Sequence, residues 1–139
     1  MRYTNKTWKL VEINPRISGG AMNDIIRFGL GINLVEETLN LVLNEPLNVT
    51  PKFQMFTNTQ YLVCTVSGKL IKVTGRKEAL NSQGVIKVFV KPKKGQMIYP
   101  PISMGYRYCY VIANGLSEED ARVNAKRALN KMKLHVLKE

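Results

Sequence analysis

Val11-Glu-Ile-Asn-Pro-Arg-Ile-Ser-Gly-Gly20 runs directly into Ala21-Met-Asn-Asp-Ile-Ile-Arg-Phe-Gly-Leu-Gly31. The first part alternates. Side chains of an extended chain switch face at every residue, so Glu12 and Asn14 are expected on one face and Val11 and Ile13 on the other. A carboxylate and an amide oxygen then project together, hard oxygen ligands of the kind Mg²⁺ takes alongside substrate phosphates. Arg16 is placed to clamp a phosphate oxygen. Pro15 lacks an amide hydrogen and ends the ladder, while Gly19-Gly20 lets backbone approach a bound group closely. The outline is a phosphate and metal site; the same residues would also serve as an ordinary exposed strand end.

The order Glu12-Ile13-Asn14-Pro15-Arg16-x-Ser18-Gly19-Gly20 resembles the last metal-binding motif of ATP-grasp ligases, enzymes that join a carboxylic acid to an amine using ATP. The resemblance implies that Glu12 and Asn14 hold Mg²⁺, with Mn²⁺ as a substitute, on the ATP phosphates. It gives Arg16 the catalytic contact to the transferred phosphoryl or acyl-phosphate, and places Ser18, Gly19 and Gly20 around the same group. ATP-grasp enzymes carry a further acidic metal ligand, nucleotide-binding lysines and a flexible phosphate loop upstream; no acidic residue precedes Glu12 in this chain. The chain is therefore expected to be the carboxyl-terminal portion of such an enzyme, from a split or truncated gene. It would be inactive alone and depend on an upstream ATP-grasp portion or a separate subunit.

The remainder of the chain fits that expectation. Thr7 to Ile13 reads as the second strand of a hairpin turning at Asn5-Lys6. Ala21 to Leu30 reads as a short amphipathic helix stopped by Gly31, its amino end aimed at the bound anion. Asn23 and Asp24 at its start could touch an amino substrate or cap the helix. Asn33 and Glu36 spell a capping box for a second helix whose buried side would be Leu34, Val35, Thr38, Leu39, Val42 and Leu43, closed by Pro46. Residues 47–60 read as a linker. Strands follow at Tyr61–Val66, Leu70–Thr74, Gly84–Lys91 and Tyr106–Ala113, then a helix capped by Ser117 with Ala121, Ala125, Ala128, Leu129 and Met132 inward, and a last strand near Leu134–Leu137. Tyr110-Val-Ile-Ala-Asn-Gly-x-Ser-Glu-Glu-Asp-Ala121 is similar to the carboxyl-terminal region of amino-acid-ligase-like ATP-grasp enzymes, relatives of biotin carboxylase and of the large subunit of carbamoyl-phosphate synthase. The expected fold class is α+β: the end of an ATP-grasp domain over residues 1–46, the linker, and a small antiparallel sheet covered by a helix over 61–139.

Composition narrows the function further. A chain of 139 residues can bury roughly two thirds of its unfolded surface, so it needs no metal or disulfide for stability. There is no apolar run long enough for a membrane span and no signal peptide, so a cytoplasmic location is expected. Cys64 and Cys109 lie in apolar runs and read as buried free thiols, and one histidine with two cysteines makes no zinc pattern. The net charge of +11 favours polyanions or nucleotide phosphates. The rival reading is a basic nucleic-acid-binding or protein-interaction module without catalysis, with Tyr106, Tyr108 and Tyr110 stacking bases around Arg107. Packing of those tyrosines on a half-buried sheet is preferred, because the glycine-aromatic core of an RNA-recognition signature is missing. Partners implied by the ligase resemblance are a small-molecule carboxylic acid and an amine, with a homo-oligomer possible.

Overall fold

Among the described residues one strand is buried on both faces, β7 (Cys109–Gly115), and it organises the molecule. The computed structural model describes residues 1–138, with all their side chains except that of Met104. Cys109 to Ala113 are all buried, an uninterrupted apolar run that only the centre of a sheet covered on two sides can satisfy. β7 pairs antiparallel with β3 (Phe56–Leu62) on one side and β5 (Val85–Val90) on the other. A second antiparallel sheet has β4 (Gly68–Thr74) between β6 (Met97–Ile98) and β8 (Lys133–Lys138).

Three further helices and a hairpin complete the chain around one long helix, α4 (Glu118–Leu129). They are α1 (Met22–Leu30), α2 (Leu34–Val42), α3 (Arg76–Leu80) and the hairpin β1 (Arg2–Thr4)–β2 (Thr7–Lys9). Alternation assigns the two faces of the central sheet. Cys109 and Val111 join Val88, Ala128 of α4 and Leu70 and Ile98 of the second sheet in the larger core, whereas Tyr110 and Ile112 face α1 with Ala21, Ile25, Phe28 and Tyr61. Alanines at 121, 125 and 128 let α4 lie close, and Ser117 caps it by accepting from the Asp120 amide at 3.1 Å.

Several expectations are corrected. The second hairpin strand stops at Lys9 rather than Ile13, because β1 has only three residues to pair and no other strand among the described residues reaches 10–14. The turn itself is as read, with Asn5 and Lys6 both left-handed (φ 50° and 59°), the pairing of conformations that suits strand twist. β3 begins at Phe56, inside the segment read as a linker. The strand read as Tyr106–Ala113 runs instead from Cys109 to Gly115, preceded by a 3-10 turn at Met104–Tyr106. Among the described residues the small antiparallel sheet is divided into two three-stranded sheets, and α3 and β6 are additional elements too short to carry a periodic signal. On α2 the expected buried side is open: Val35, Leu39, Val42 and Leu43 are all exposed. Asn33 donates to Glu36 Oε2 at 3.2 Å, and no side chain caps the helix backbone. None of the described helices is long and apolar enough to cross a membrane.

Candidate functional site

Pro15, Gly19 and Gly20 keep the segment after β2 irregular. It crosses the α1 face of the central sheet, and the turn at Gly20 (φ 72°) delivers the chain into α1. Between this segment and the sheet lies an open cavity of ≈ 700 Å³. Arg16, Ser18, Gly19, Gly20 and Met22 line it from this segment, and Lys91, Gly105 and Arg107 line it from the chain between β5 and β7. Its floor is a row of rings. Tyr61 of β3 and Phe89 of β5 are both register partners of Tyr110 on β7. Phe89 stacks on Tyr110 (centroids 4.9 Å, 24°), Tyr61 meets it edge-on (5.7 Å, 61°), and the Arg107 guanidinium lies 4.6 Å from the Tyr61 centroid.

Beside the ring row, on the same face of the sheet, is a polar network. Lys87 Nζ donates to Asp24 Oδ2 at 2.6 Å, and the Tyr110 hydroxyl donates to the same oxygen at 3.2 Å. Asp24 is thus neither a cap nor a free carboxylate; it fixes Tyr110 while Lys87 balances its charge. Burial, and then the charge of Asp24, push the Tyr110 hydroxyl up to about 12. Burial likewise raises the Cys109 thiol to about 11, so the thiol is no nucleophile near neutral pH. Cys64 is also buried and free.

The structure places the predicted residues in two groups. Arg16, Ser18, Gly19 and Gly20 line the cavity. Glu12 and Asn14 stand side by side, as alternation predicted, with Asn14 Nδ2 donating to Glu12 Oε1 at 3.1 Å, but they are exposed and outside the cavity lining. That bond leaves Glu12 Oε2 and Asn14 Oδ1, oxygens of the chemical type magnesium takes, without a side-chain partner among the described residues. No cluster of three acidic, histidine or cysteine ligands occurs among the described residues. Arg16 itself is held only locally, its Nη1 donating to the Ile17 carbonyl at 3.3 Å.

Sequence reasoning missed Tyr61, Phe89 and Lys91 as cavity residues and gave Arg107 and Tyr110 a different setting. Strand alternation says which residues share a face of one strand, while the ring row exists only through the register of three strands. The proposed stacking face of Tyr106, Tyr108 and Tyr110 is corrected too. Tyr108 and Tyr110 are buried, Tyr106 and Tyr108 belong to the larger core and Tyr110 to the opposite face, because residues before Cys109 are not in strand conformation.

The family model for L-amino acid ligase C-terminal domain 2 matches residues 60–136. An uncharacterised protein, y4rH, of Sinorhizobium fredii (strain NBRC 101917 / NGR234) is 25% identical over 134 residues, 92% of this chain and 27% of that protein. Among solved structures, L-amino acid ligase from Bacillus licheniformis superposes with a TM-score of 0.68 at 18% identity, over 85% of this chain and 30% of that one. Phosphoribosylglycinamide synthetase from Anaerococcus prevotii gives 0.71 at 9% identity, over 84% and 30%. N5-carboxyaminoimidazole ribonucleotide synthetase from Thermotoga maritima gives 0.62 at 18%, over 83% and 30%. The chain thus spans about three tenths of the length of these proteins.

Proposed function

The chain belongs to the L-amino acid ligase C-terminal domain 2 family, and from that membership we propose that it forms the carboxyl-terminal part of an ATP-dependent carboxylate–amine ligase acting through an acyl-phosphate. The observation that carries this reading is the cavity wall of Arg16, Ser18, Gly19 and Gly20, built from the motif that resembles ATP-grasp ligases. In this reading residues 1–46 end the ATP-grasp domain, the segment 47–60 joins it to 61–139 and already carries the start of β3 at Phe56, and α1 seats the first part on the central sheet. The upstream ATP-grasp portion supplies the nucleotide pocket. The uncovered apolar residues of α2 and of the segment 10–13 suit a surface against which that portion packs.

This chain's residues would bind and orient. Glu12 and Asn14 would hold magnesium, which when bound neutralises charge on the ATP phosphates. Arg16 would bind the phosphoryl oxygens as a carboxylate of the acid substrate is phosphorylated, and again as the amine attacks the activated acyl carbon and phosphate leaves. The amide groups at the start of α1, which have no side-chain cap, would face the same negative charge. No side-chain nucleophile is required, in keeping with the raised Cys109 and Tyr110.

The test is ATP turnover by the chain expressed with an upstream ATP-grasp portion, in one polypeptide or as a separate subunit. Phosphate release should require both a carboxylic acid and an amine, and Arg16→Gln should lower its rate by about 100-fold, the usual effect of removing a donor aimed at developing charge. Turnover that survives Arg16→Gln together with Glu12→Gln and Asn14→Ala would refute the assignment.

A further inference from the structure

The cavity carries more positive charge than one transferred phosphoryl group calls for. Arg16, Lys91 and Arg107 line it and no carboxylate does. The nearby acid, Asp24, is already occupied by Lys87 and Tyr110. Among the described residues no carboxylate lies within 4 Å of any of the three cations. They also come from two parts of the chain: Arg16 from the glycine segment, Lys91 and Arg107 from the end of β5 and the approach to β7.

The far pair is held in place without being neutralised. The Lys91 amide donates to the Tyr108 carbonyl at 2.9 Å, which ties its backbone to the neighbouring strand, while its ammonium has only a long contact, 3.5 Å, to the Gly105 carbonyl. Arg107 lies over the Tyr61 ring and makes no side-chain hydrogen bond to the described residues. Stacking uses the face of a guanidinium and leaves its in-plane N–H donors available to an anion. Tyr61, Tyr110 and Phe89 line the same cavity. Phe89 is 37% exposed although its ring is stacked, an aromatic surface left open to the cavity.

We propose that Lys91 and Arg107 form a second anion site over this ring floor, selecting a substrate whose planar apolar body ends in an anionic group of its own, a carboxylate or a phosphate. The reacting carboxylate faces Arg16, the planar body lies on Phe89, and the other anion meets Lys91 and Arg107. The inference deepens the ligase reading and rests on it only for treating the cavity as a substrate site.

Binding to the full chain, followed by NMR amide shifts of cavity residues, tests it with simple probes. Benzoate should bind, benzamide should not, and cyclohexanecarboxylate, equal in charge but not planar, should bind about fivefold more weakly, the scale of one aromatic pairing. Arg107→Gln and Lys91→Gln, both exposed positions, should each weaken benzoate about three- to fivefold and flatten its salt dependence. Phe89→Leu should erase the preference over cyclohexanecarboxylate. Phenyl phosphate run in parallel assigns the anion by whether it or benzoate binds more tightly. Benzamide binding as well as benzoate, or benzoate unaffected by both cation changes, overturns the proposal. Inorganic phosphate, titrated into a chain carrying Lys91→Gln and Arg107→Gln so that Arg16 is the remaining cavity cation, tests the ligase assignment separately: a phosphate response lost on adding Arg16→Gln while benzoate ignores Arg107→Gln in the native background leaves the ligase reading standing and removes this one, and the converse removes only the ligase assignment of Arg16.

Discussion

Asp24 illustrates how a single side chain can be legible in type and illegible in role. Its position in the first turn of α1 suggests capping or substrate contact, yet its carboxylate reaches across to Lys87 on β5 and Tyr110 on β7. Both partners are more than 60 residues away in sequence, so no local pattern announces them. Removing the hydroxyl in Tyr110→Phe deletes one bond to a carboxylate that keeps its lysine, and should cost about 1 kcal/mol in urea unfolding at pH 8. The same variant has an alkaline signature. Tyr110 is raised from 10.0 to about 12 and Cys109 from 9.0 to about 11. A group whose folded pKa is raised contributes stability that is full below its unfolded pKa and lost as pH climbs through the folded one. The native chain should therefore weaken from pH 9 to 12, through the thiol first and the tyrosine afterwards. Tyr110→Phe should remove the later part of that decline; identical slopes for the two proteins above pH 10 would contradict the tyrosine's shift.

At the level of elements, the strongest signals were those in which one segment carries its own pattern. Helix α4 shows a serine cap, acidic first turn and alanine stripe within a single stretch, and it forms as expected. Helix α1 stops at Gly31, whose φ of 71° and amide bond to the Arg27 carbonyl are the left-handed stop a glycine favours. Elements defined by a neighbour were not legible. Helix α3 spans one turn and is set by Gly75, which enters it at φ 79° with no room for a side chain: an added Cβ would overlap the Lys131 carbonyl oxygen. Gly75→Ala combines left-handed strain with overpacking and should destabilise the chain by about 2–4 kcal/mol in denaturant unfolding. Loss of less than about 1 kcal/mol would mean that the α3–α4 junction can relax.

Across the whole molecule, α2 leaves an apolar stripe open to solvent. Leu39 is 58% exposed and Val42 77% exposed on a helix whose spacing calls for a buried stripe. Lysine at both positions should leave unfolding of the isolated chain within about 0.5 kcal/mol, as surface changes do, and should weaken association with an upstream ATP-grasp portion measured by sedimentation. A loss of stability in the chain alone would show that this face is already packed. The sequence by itself determined the α+β class, the stop of α1 at Gly31 and the cap of α4 at Ser117, the turn at Asn5-Lys6, the pairing of Glu12 with Asn14 and the family resemblance. These depend on residues within a few positions of one another, where spacing dictates geometry. The tertiary structure alone decided the split into two sheets, the ring row under Arg107, the Lys87–Asp24–Tyr110 network and the separation of Glu12 and Asn14 from the cavity that Arg16 lines. Each depends on strand register and helix placement, which are set by the summed packing of distant segments and leave no periodic trace in any one of them.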